Sequence, residues 1–351
     1  INASHPQACS PVSQVISCTC NDPVISLSAT CELDKINYSF TVQNVSNAGG
    51  VFEILVNGVV VTNYPLEFLV KRIAGDRVNV VRLDEGDVAQ RAQINDDYET
   101  ILEQANVIFY ISEAQPYFEL YETELREAKA EMVDLSQYSK LYDFKRYQNI
   151  VVSGQVTSFE SAYYDSALLD NVDMYSSDPI LWIDPIAMTS MGRSVLDYLV
   201  TKYPDQATYF NDNFETLEIE LVRLYADYQK LRDVDAQISF VTITPTFGNW
   251  QKSYGINIYP IALSKYGVLP DEALLNVYRN RIDEDGVEYI AFESNLPDDY
   301  VRLYNQIKTE LDLTQINLHN LYTLSSEDIN NNEDYISLMY RNLETLMALG
   351  E

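Results

Sequence analysis

Histidine is almost missing from this sequence, because His5 and His319 are the only two among its 351 residues. Imidazole is the commonest side-chain ligand of transition metals, so a metal site built from three histidines is excluded. No run of about 18 uninterrupted apolar residues occurs, which excludes a membrane-spanning helix within the sequence. The G-x-S-x-G, Walker A and G-x-G-x-x-G motifs are also missing, and we therefore expect no enzymatic activity.

Basic residues are scarce as well. The chain has 23 Lys and Arg against 53 Asp and Glu, which gives a formal net charge of −30. Such a polyanion is repelled by phosphates and anionic lipid headgroups, so we expect neither nucleic acid nor a membrane surface as a partner. The carboxylates suit cations, a basic partner or a salty exterior, although solubility alone explains them equally well.

All four cysteines lie in the first 31 residues, at Cys9, Cys18, Cys20 and Cys31. Cys18 and Cys20 are too close for an easy mutual bridge, so we expect two disulfides. The pairing is either Cys9–Cys18 with Cys20–Cys31, or Cys9–Cys20 with Cys18–Cys31. A zinc site near His5 is the alternative, but no C-x-x-C pair supports it. Disulfides indicate an oxidising, extracytoplasmic compartment.

The same segment carries three N-glycosylation sequons, which begin at Asn2, Asn37 and Asn44. Residues 36–43 alternate apolar and polar side chains, which predicts a strand with one buried face, and 24–30 is a second strand candidate. Asn57-Gly58 is a strong two-residue hairpin signal. Residues 1–55 therefore predict a small, disulfide-stapled and secreted β module.

From residue 56 onward strands and helices alternate, which predicts an α/β protein with parallel sheets and helices on both faces. We expect strands at 78–81, 107–110, 150–152, 240–243 and 289–292. We expect helices at 65–73, 95–105, 116–132, 185–203, 206–232, 270–282, 297–311 and 333–348.

Four segments in order resemble one family, the zinc and manganese solute receptors of ABC importers. Residues 64–78 (YPLEFLVKRIAGDRV) resemble the family's first helix and its IAGDxV end, and 178–185 (DPILWIDP) resemble its DPHxWxDP motif. Residues 240–248 (FVTITPTFG) resemble FVTSHxAFG, and 334–343 (DYISLMYRNL) resemble YxxxMxxNL. The resemblance implies a bilobed solute-receptor fold, with an N-terminal lobe at 56–184, an interlobe helix at 185–203 and a C-terminal lobe at 204–351.

The resemblance also implies a metal held in the cleft by imidazoles and carboxylates from both lobes. The four implied ligand positions fall here on Gln90, Ile180, Thr244 and His319. An alkyl group cannot coordinate a metal, and a closed zinc site needs about four N, S or O ligands. We therefore expect no transition metal, no resident cofactor and a hydrogen-bonded, packed His319.

Oxygen ligands for calcium or magnesium are a weaker possibility. Asp84, Glu85 and Asp87 lie in one loop and could supply carboxylates, although such a run is more often a solvated surface. Residues 283–286 resemble a calcium loop only faintly. Glu293 and Asp298 could form a carboxylate pair, but nothing in the sequence singles them out. Tyr163, Tyr164, Tyr175, Tyr254, Tyr259 and Tyr266 could offer contact surface near the cleft, with compositional bias as the favoured explanation.

Two functions follow from this combination. The one we favour is a non-catalytic extracellular or cell-surface protein, an adhesin or a subunit of an extracellular assembly, that contacts other subunits or its own copies through residues 1–55. In this interpretation the scaffold has lost its transition-metal site. The alternative is the solute-binding receptor of an ABC importer, for a metal or another small ligand, with the importer permease as its partner.

Overall fold

The structure is a computed structural model that describes residues 13–16, 24–32, 35–43, 58–144, 147–152, 155–160, 162–234 and 236–350. The chain divides into two compact units, Ile1–Ile54 and Leu55–Glu351, and each is described by itself. The domain boundaries expected from the sequence stay a prediction.

The first unit contains a three-stranded antiparallel sheet of β1 (Ser13–Ile16), β2 (Val24–Glu32) and β3 (Lys35–Gln43). The expected strands at 24–30 and 36–43 are therefore present. Cys31 lies on β2 opposite Ile36, and Asn37 lies on β3 opposite Thr30. Cys9, Cys18, Cys20, Asn2, Asn44 and Asn57 lie outside the described residues, so the disulfides, the sequons and the hairpin stay predictions.

The N-terminal lobe of the second unit is built on a four-stranded parallel sheet in the order β5-β4-β8-β9. Its elements are β4 (Gly58–Val61), α1 (Tyr64–Ala74), β5 (Asn79–Arg82), β6 (Asp84–Glu85), β7 (Gln93–Ile94), α2 (Tyr98–Gln104), β8 (Ala105–Tyr110), α3 (Tyr117–Leu120), α4 (Glu122–Glu127) and β9 (Glu131–Asp134). An antiparallel hairpin of β10 (Tyr147–Val152) and β11 (Gln155–Glu160) follows.

The C-terminal lobe repeats this plan with a parallel sheet in the order β13-β12-β14-β15. Its elements are α6 (Ala207–Gln229), β12 (Ser239–Thr242), α7 (Asn249–Tyr254), β13 (Asn257–Pro260), α8 (Glu272–Glu284), β14 (Tyr289–Glu293), α9 (Asp298–Glu310), β15 (Thr314–Leu318), α10 (Ser326–Asn330) and α11 (Tyr335–Gly350). The α/β class and the two parallel-sheet lobes are thus confirmed.

The helix between the lobes, α5 (Pro185–Lys202), begins at an N-cap aspartate followed by a proline. The Asp184 side chain accepts a hydrogen bond from the Ile186 backbone N–H at 2.8 Å, and Pro185 needs no partner in the first turn. Gly192 lets α6 and α1 approach closely, because a Cβ there would lie 3.0 Å from the Phe214 ring and 3.3 Å from Leu69. The interlobe helix expected at 185–203 is confirmed.

One expected element is wrong. The stretch 116–132 is not one helix, since it breaks after α3 and α4, and 131–134 pairs with β8 as the edge strand β9. By pairing with β8, the backbone N–H and C=O groups of residues 131–134 gain hydrogen-bond partners that they would lack at the end of a helix. The expected strand at 150–152 is present as part of β10, which pairs antiparallel with β11. The sequence analysis missed the strands β1, β6, β7, β11, β13 and β15.

Candidate solute site in the interlobe cleft

Buried polar side chains gather at the carboxyl ends of the parallel strands, in the crevice that we call the interlobe cleft. Asp84 follows β5, Thr244 follows β12, Glu293 ends β14 and His319 follows β15. None of the four is more than 1% exposed. The crevice outside the carboxyl ends of parallel strands is the usual place for a ligand in open α/β sheets.

Glu293 is held by Thr244, the residue at one of the implied ligand positions. The Thr244 backbone N–H donates to Glu293 Oε1 at 3.0 Å, and the Thr244 hydroxyl donates to Oε2 at 2.7 Å. Burial raises the pKa of Glu293 to about 7, against these hydrogen bonds, which lower it. The carboxylate pair with Asp298 does not form a site, because Glu293 is buried while Asp298 is exposed at the start of α9.

Gln90 connects the two lobes. Its amide Nε2 donates to the carbonyl oxygens of Ala262 at 2.8 Å and Ser264 at 3.2 Å. The neighbouring Arg91 forms an ion pair with Asp299 at 2.7 Å, and its Nη2 donates to the Gly267 carbonyl at 2.8 Å. Gln90, at the first implied ligand position, therefore forms hydrogen bonds between the lobes.

Ile180 and His319 are both engaged inside the protein. Ile180 is 1% exposed and packs in the main hydrophobic core, while its carbonyl accepts from the Asn249 amide at 2.7 Å. The His319 Nδ1 accepts from the Leu321 backbone N–H at 2.9 Å, and Nε2 lies 3.2 Å from Asp328 Oδ2. Burial lowers the pKa of His319. Both ring nitrogens therefore have partners within the chain.

Asp84 is the centre of a second polar group, which we call the Asp84 cluster: Asp84, Gln115, Tyr117 and Tyr322. The Tyr322 phenol donates to Asp84 Oδ2. Burial and the nearby Asp84 carboxyl raise the pKa values of the Tyr117 and Tyr322 phenols, and Gln115 opposes this shift at Tyr322. Burial raises the pKa of Asp84 to about 7. The sequence analysis missed Gln115, Tyr117 and Tyr322, and no local motif marks them.

The other calcium and magnesium candidates do not join Asp84. Glu85 is exposed and accepts from the Asn95 amide at 3.1 Å, and Asp87 is exposed. Residues 283–286 are the exposed end of α8 and the turn after it. Across the part of the chain that the structure describes, no three His, Cys, Asp or Glu side chains are grouped to hold a metal.

Most of the tyrosines near the cleft belong to the core. Tyr163, Tyr164, Tyr175, Tyr254 and Tyr259 are between 1% and 6% exposed, and only Tyr266 of the six is exposed, at 39%. Tyr163 stacks on Tyr278 with ring centroids 4.9 Å apart. A contact surface made by these side chains is therefore not what the structure shows.

The comparison with protein families decides the ancestry of this fold. A family model described as "Zinc-uptake complex component A periplasmic" matches residues 59–349. The chain belongs to this family. The membership confirms the resemblance seen in the sequence, and the family's periplasmic description confirms the extracytoplasmic localisation.

Individual proteins agree with this assignment. The zinc-binding protein AdcA of Streptococcus pyogenes serotype M3 is 29% identical over 179 residues, which is 49% of this chain and 33% of AdcA. The zinc-binding lipoprotein AdcA of Streptococcus pneumoniae is 25% identical over 291 residues, 82% of this chain and 54% of the relative. The chain thus matches only a third to about half of the length of these curated relatives.

Among solved structures, that of the laminin-binding adhesin from Streptococcus agalactiae has a TM-score of 0.65 at 18% identity. The match covers 84% of this chain and 99% of that chain. At this identity the likeness shows the fold alone.

The favoured functional interpretation, an adhesin or assembly subunit on a scaffold without its metal site, is wrong. The family and its zinc-binding relatives overturn it in favour of a solute receptor. The error came from reading the function off the missing imidazoles alone. No helix among the described residues is long and apolar enough to cross a membrane.

Proposed function

We propose that the chain is the non-enzymatic solute-binding receptor of an ABC importer, that its cargo is a metal ion bound in the interlobe cleft, and that its partner is the importer permease. The observation that carries this proposal is the family match over residues 59–349, which includes both lobes and α5. The relatives' zinc binding supports a metal cargo, which is a solute to be carried and not a resident cofactor.

The contacts across the cleft suit a receptor whose lobes separate and close. Side chains make several of them: Gln90 to Ala262 and Ser264, Arg91 to Asp299, and Lys265 to Glu119 at 2.8 Å. Ion pairs and side-chain hydrogen bonds exchange with water at modest cost, unlike a continuous sheet across both lobes. Hinged closure around a ligand is a common motion of two-lobed binding proteins.

The donor chemistry of the cleft differs from that of a histidine site. Asp84 offers a carboxylate oxygen that has no hydrogen-bond donor among the described residues, whereas Glu293 and Thr244 are bonded to each other. The one described imidazole, His319, is already bonded through both nitrogens. Oxygen ligands suit hard cations, whereas imidazole and thiolate suit zinc. We therefore propose that the cargo is held by oxygen donors.

Cation binding by the whole chain tests the receptor proposal. Native mass spectrometry and calorimetry with Zn²⁺, Mn²⁺, Mg²⁺ and Fe³⁺ should show one cation per chain, with a higher Tm and a smaller radius of gyration by X-ray scattering. The measurement is made at about 0.15 M salt, because surface carboxylates bind cations diffusely at low ionic strength. Asp96→Asn, which removes an exposed carboxylate, is the matched control. Binding of none of these cations would contradict the proposal.

A further inference from the structure

Several buried polar atoms at the edge of the N-terminal sheet make no hydrogen bond within the described part of the chain. They are Asp84 Oδ1, both amide atoms of Gln115 and the Tyr117 hydroxyl. The three side chains are between 1% and 3% exposed. Buried polar groups are almost always hydrogen-bonded, so several unbonded atoms in one cluster point to a ligand that completes them.

Glu293 provides the internal comparison, because it is buried in the same way but has its partners. Its two oxygens accept from the Thr244 backbone N–H and hydroxyl. Asp84 Oδ2 has the Tyr322 phenol, whereas Oδ1 has only Arg82 Nε at 3.8 Å, which is beyond hydrogen-bond length. Asp84, and not Glu293, is therefore the carboxylate with an oxygen that a ligand could complete.

We infer that the Asp84 cluster is the binding site for a hard metal cation, which Asp84, Tyr117, Tyr322 and the Gln115 amide oxygen hold through oxygen alone. The inference rests on the proposed receptor function and names the class of its cargo. None of the four residues is among the positions that the family resemblance implies as ligands, which are Gln90, Ile180, Thr244 and His319.

Charge balance favours a highly charged ion. The buried Asp84 carboxylate has one phenol donor and an Arg82 guanidinium at 3.8 Å, and a cation against Oδ1 offsets the remaining cost of burying its charge. A bound cation also lowers the pKa of phenols that ligate it, as it does for bound water and thiols. Each phenol that binds releases its O–H proton to solvent and gives an oxygen lone pair to the metal. One carboxylate and two phenolates then neutralise a trivalent ion.

Tyr322 comes to the cluster from a distant part of the chain. Asp84, Gln115 and Tyr117 lie in the N-terminal lobe, whereas Tyr322 follows β15 of the other lobe. The Tyr322 backbone N–H donates to Asn320 Oδ1 at 3.0 Å, while its carbonyl accepts from the Tyr64 N–H of α1 at 3.3 Å. A cation that reaches all four side chains therefore joins the segment after β15 to the N-terminal lobe.

A groove lies beside the cluster. Gln115 lines this open groove of about 500 Å³, whose walls include Phe118 of the N-terminal lobe and Lys265 and Tyr266 of the other. Arg82 is the positive charge that competes with a cation for Asp84. Its guanidinium also donates to the Thr323 hydroxyl at 3.1 Å, so it has a partner when a cation binds.

Ferric nitrilotriacetate is the probe, because ligation by a phenolate gives a visible charge-transfer band that surface carboxylates cannot produce. The full chain should bind one Fe³⁺ and develop this band. Asp84→Asn, Tyr117→Phe and Tyr322→Phe should each weaken binding at least tenfold, and the two tyrosine variants should reduce the band. Arg82→Gln should tighten binding. Tyr138→Phe and Asp96→Asn, at exposed positions, are the matched controls and should match the wild type.

The Tm of each metal-free variant shows whether it folds, so lost binding is read only from folded protein. The inference is overturned if no band appears, or if Fe³⁺ binds equally well to Asp84→Asn and Tyr322→Phe. Stoichiometric Zn²⁺ or Mn²⁺ binding that these variants leave unchanged would also overturn it, while the receptor function would stand. Absence of every cation would instead overturn both.

Discussion

Asp84 and Glu293 occupy similar positions in the two parallel sheets but differ in their hydrogen-bond partners. Each ends or follows a parallel strand, each is at most 1% exposed, and burial raises the pKa of each to about 7. Glu293 is surrounded by donors from Thr244, whereas one oxygen of Asp84 has no hydrogen-bond donor among the described residues. Burial alone therefore does not distinguish a structural carboxylate from a ligand-binding one, but the number of hydrogen-bond partners does.

The pH dependence of stability should show the largest effect. Both acids have a folded pKa raised above the unfolded value, so the folded state holds more protons between about pH 4 and 7, and stability falls by a few kcal/mol as pH rises through this range. The lowered pKa of His319 acts in the opposite direction below its usual value. Urea unfolding of wild type, Asp84→Asn and Glu293→Gln at several pH values checks this. Each variant should reduce the loss of stability that accompanies rising pH, and unchanged profiles would contradict the raised pKa values.

Glu293→Ala should be the most damaging single change in the cleft. It leaves the Thr244 N–H and hydroxyl buried without their acceptor and creates a cavity, so we expect a loss of about 3 kcal/mol. Asp84→Asn should cost far less, or stabilise the protein at pH 8, because it removes an under-bonded buried charge. Chemical denaturation of both variants makes the test, and equal losses would end the distinction between the two carboxylates.

Tyr322→Phe removes the phenol that donates to Asp84. We expect a loss of about 1–2 kcal/mol at pH 8, where Asp84 is ionised, and a smaller loss at pH 5, where it is protonated. Thermal unfolding at the two pH values measures the difference. An identical loss at both would show that the phenol acts through packing and not through the carboxylate.

Arg91→Ala should have the smallest effect on stability, about 1 kcal/mol, because the ion pair with Asp299 is about a third exposed. Its larger consequence should be an increased radius of gyration, since Arg91 also holds the Gly267 carbonyl across the cleft. Arg126→Ala, whose ion pair with Glu122 lies on the surface of a single helix, is the control and should change neither quantity. A radius unchanged by Arg91→Ala would show that this contact does not hold the lobes together.

Much of the fold could be predicted from the sequence. The strand–helix alternation was sufficient for the α/β class, and Asp184 and Pro185 mark the start of α5 by the chemistry of an N-cap. The resemblance placed the two lobes. Local patterning failed for residues 116–132, because a short edge strand beside β8 is stabilised by its neighbour and not by its own sequence.

Much less of the candidate site could be predicted. The sequence analysis grouped Asp84 with Glu85 and Asp87 as possible cation ligands, but these two residues are exposed whereas Asp84 is buried. Its actual neighbour Tyr322 lies 238 positions away and is a residue type that usually indicates a core position.

The sequence by itself determined which residue types were available, namely few imidazoles, many carboxylates and many tyrosines, together with the order of strands and helices. Only the tertiary structure decided which of these side chains meet. Crossover connections bring the carboxyl ends of parallel strands to one edge regardless of their separation along the chain. Neighbouring strands of the C-terminal sheet gave Glu293 its donors from Thr244, whereas Asp84 has one oxygen without a donor within the described chain.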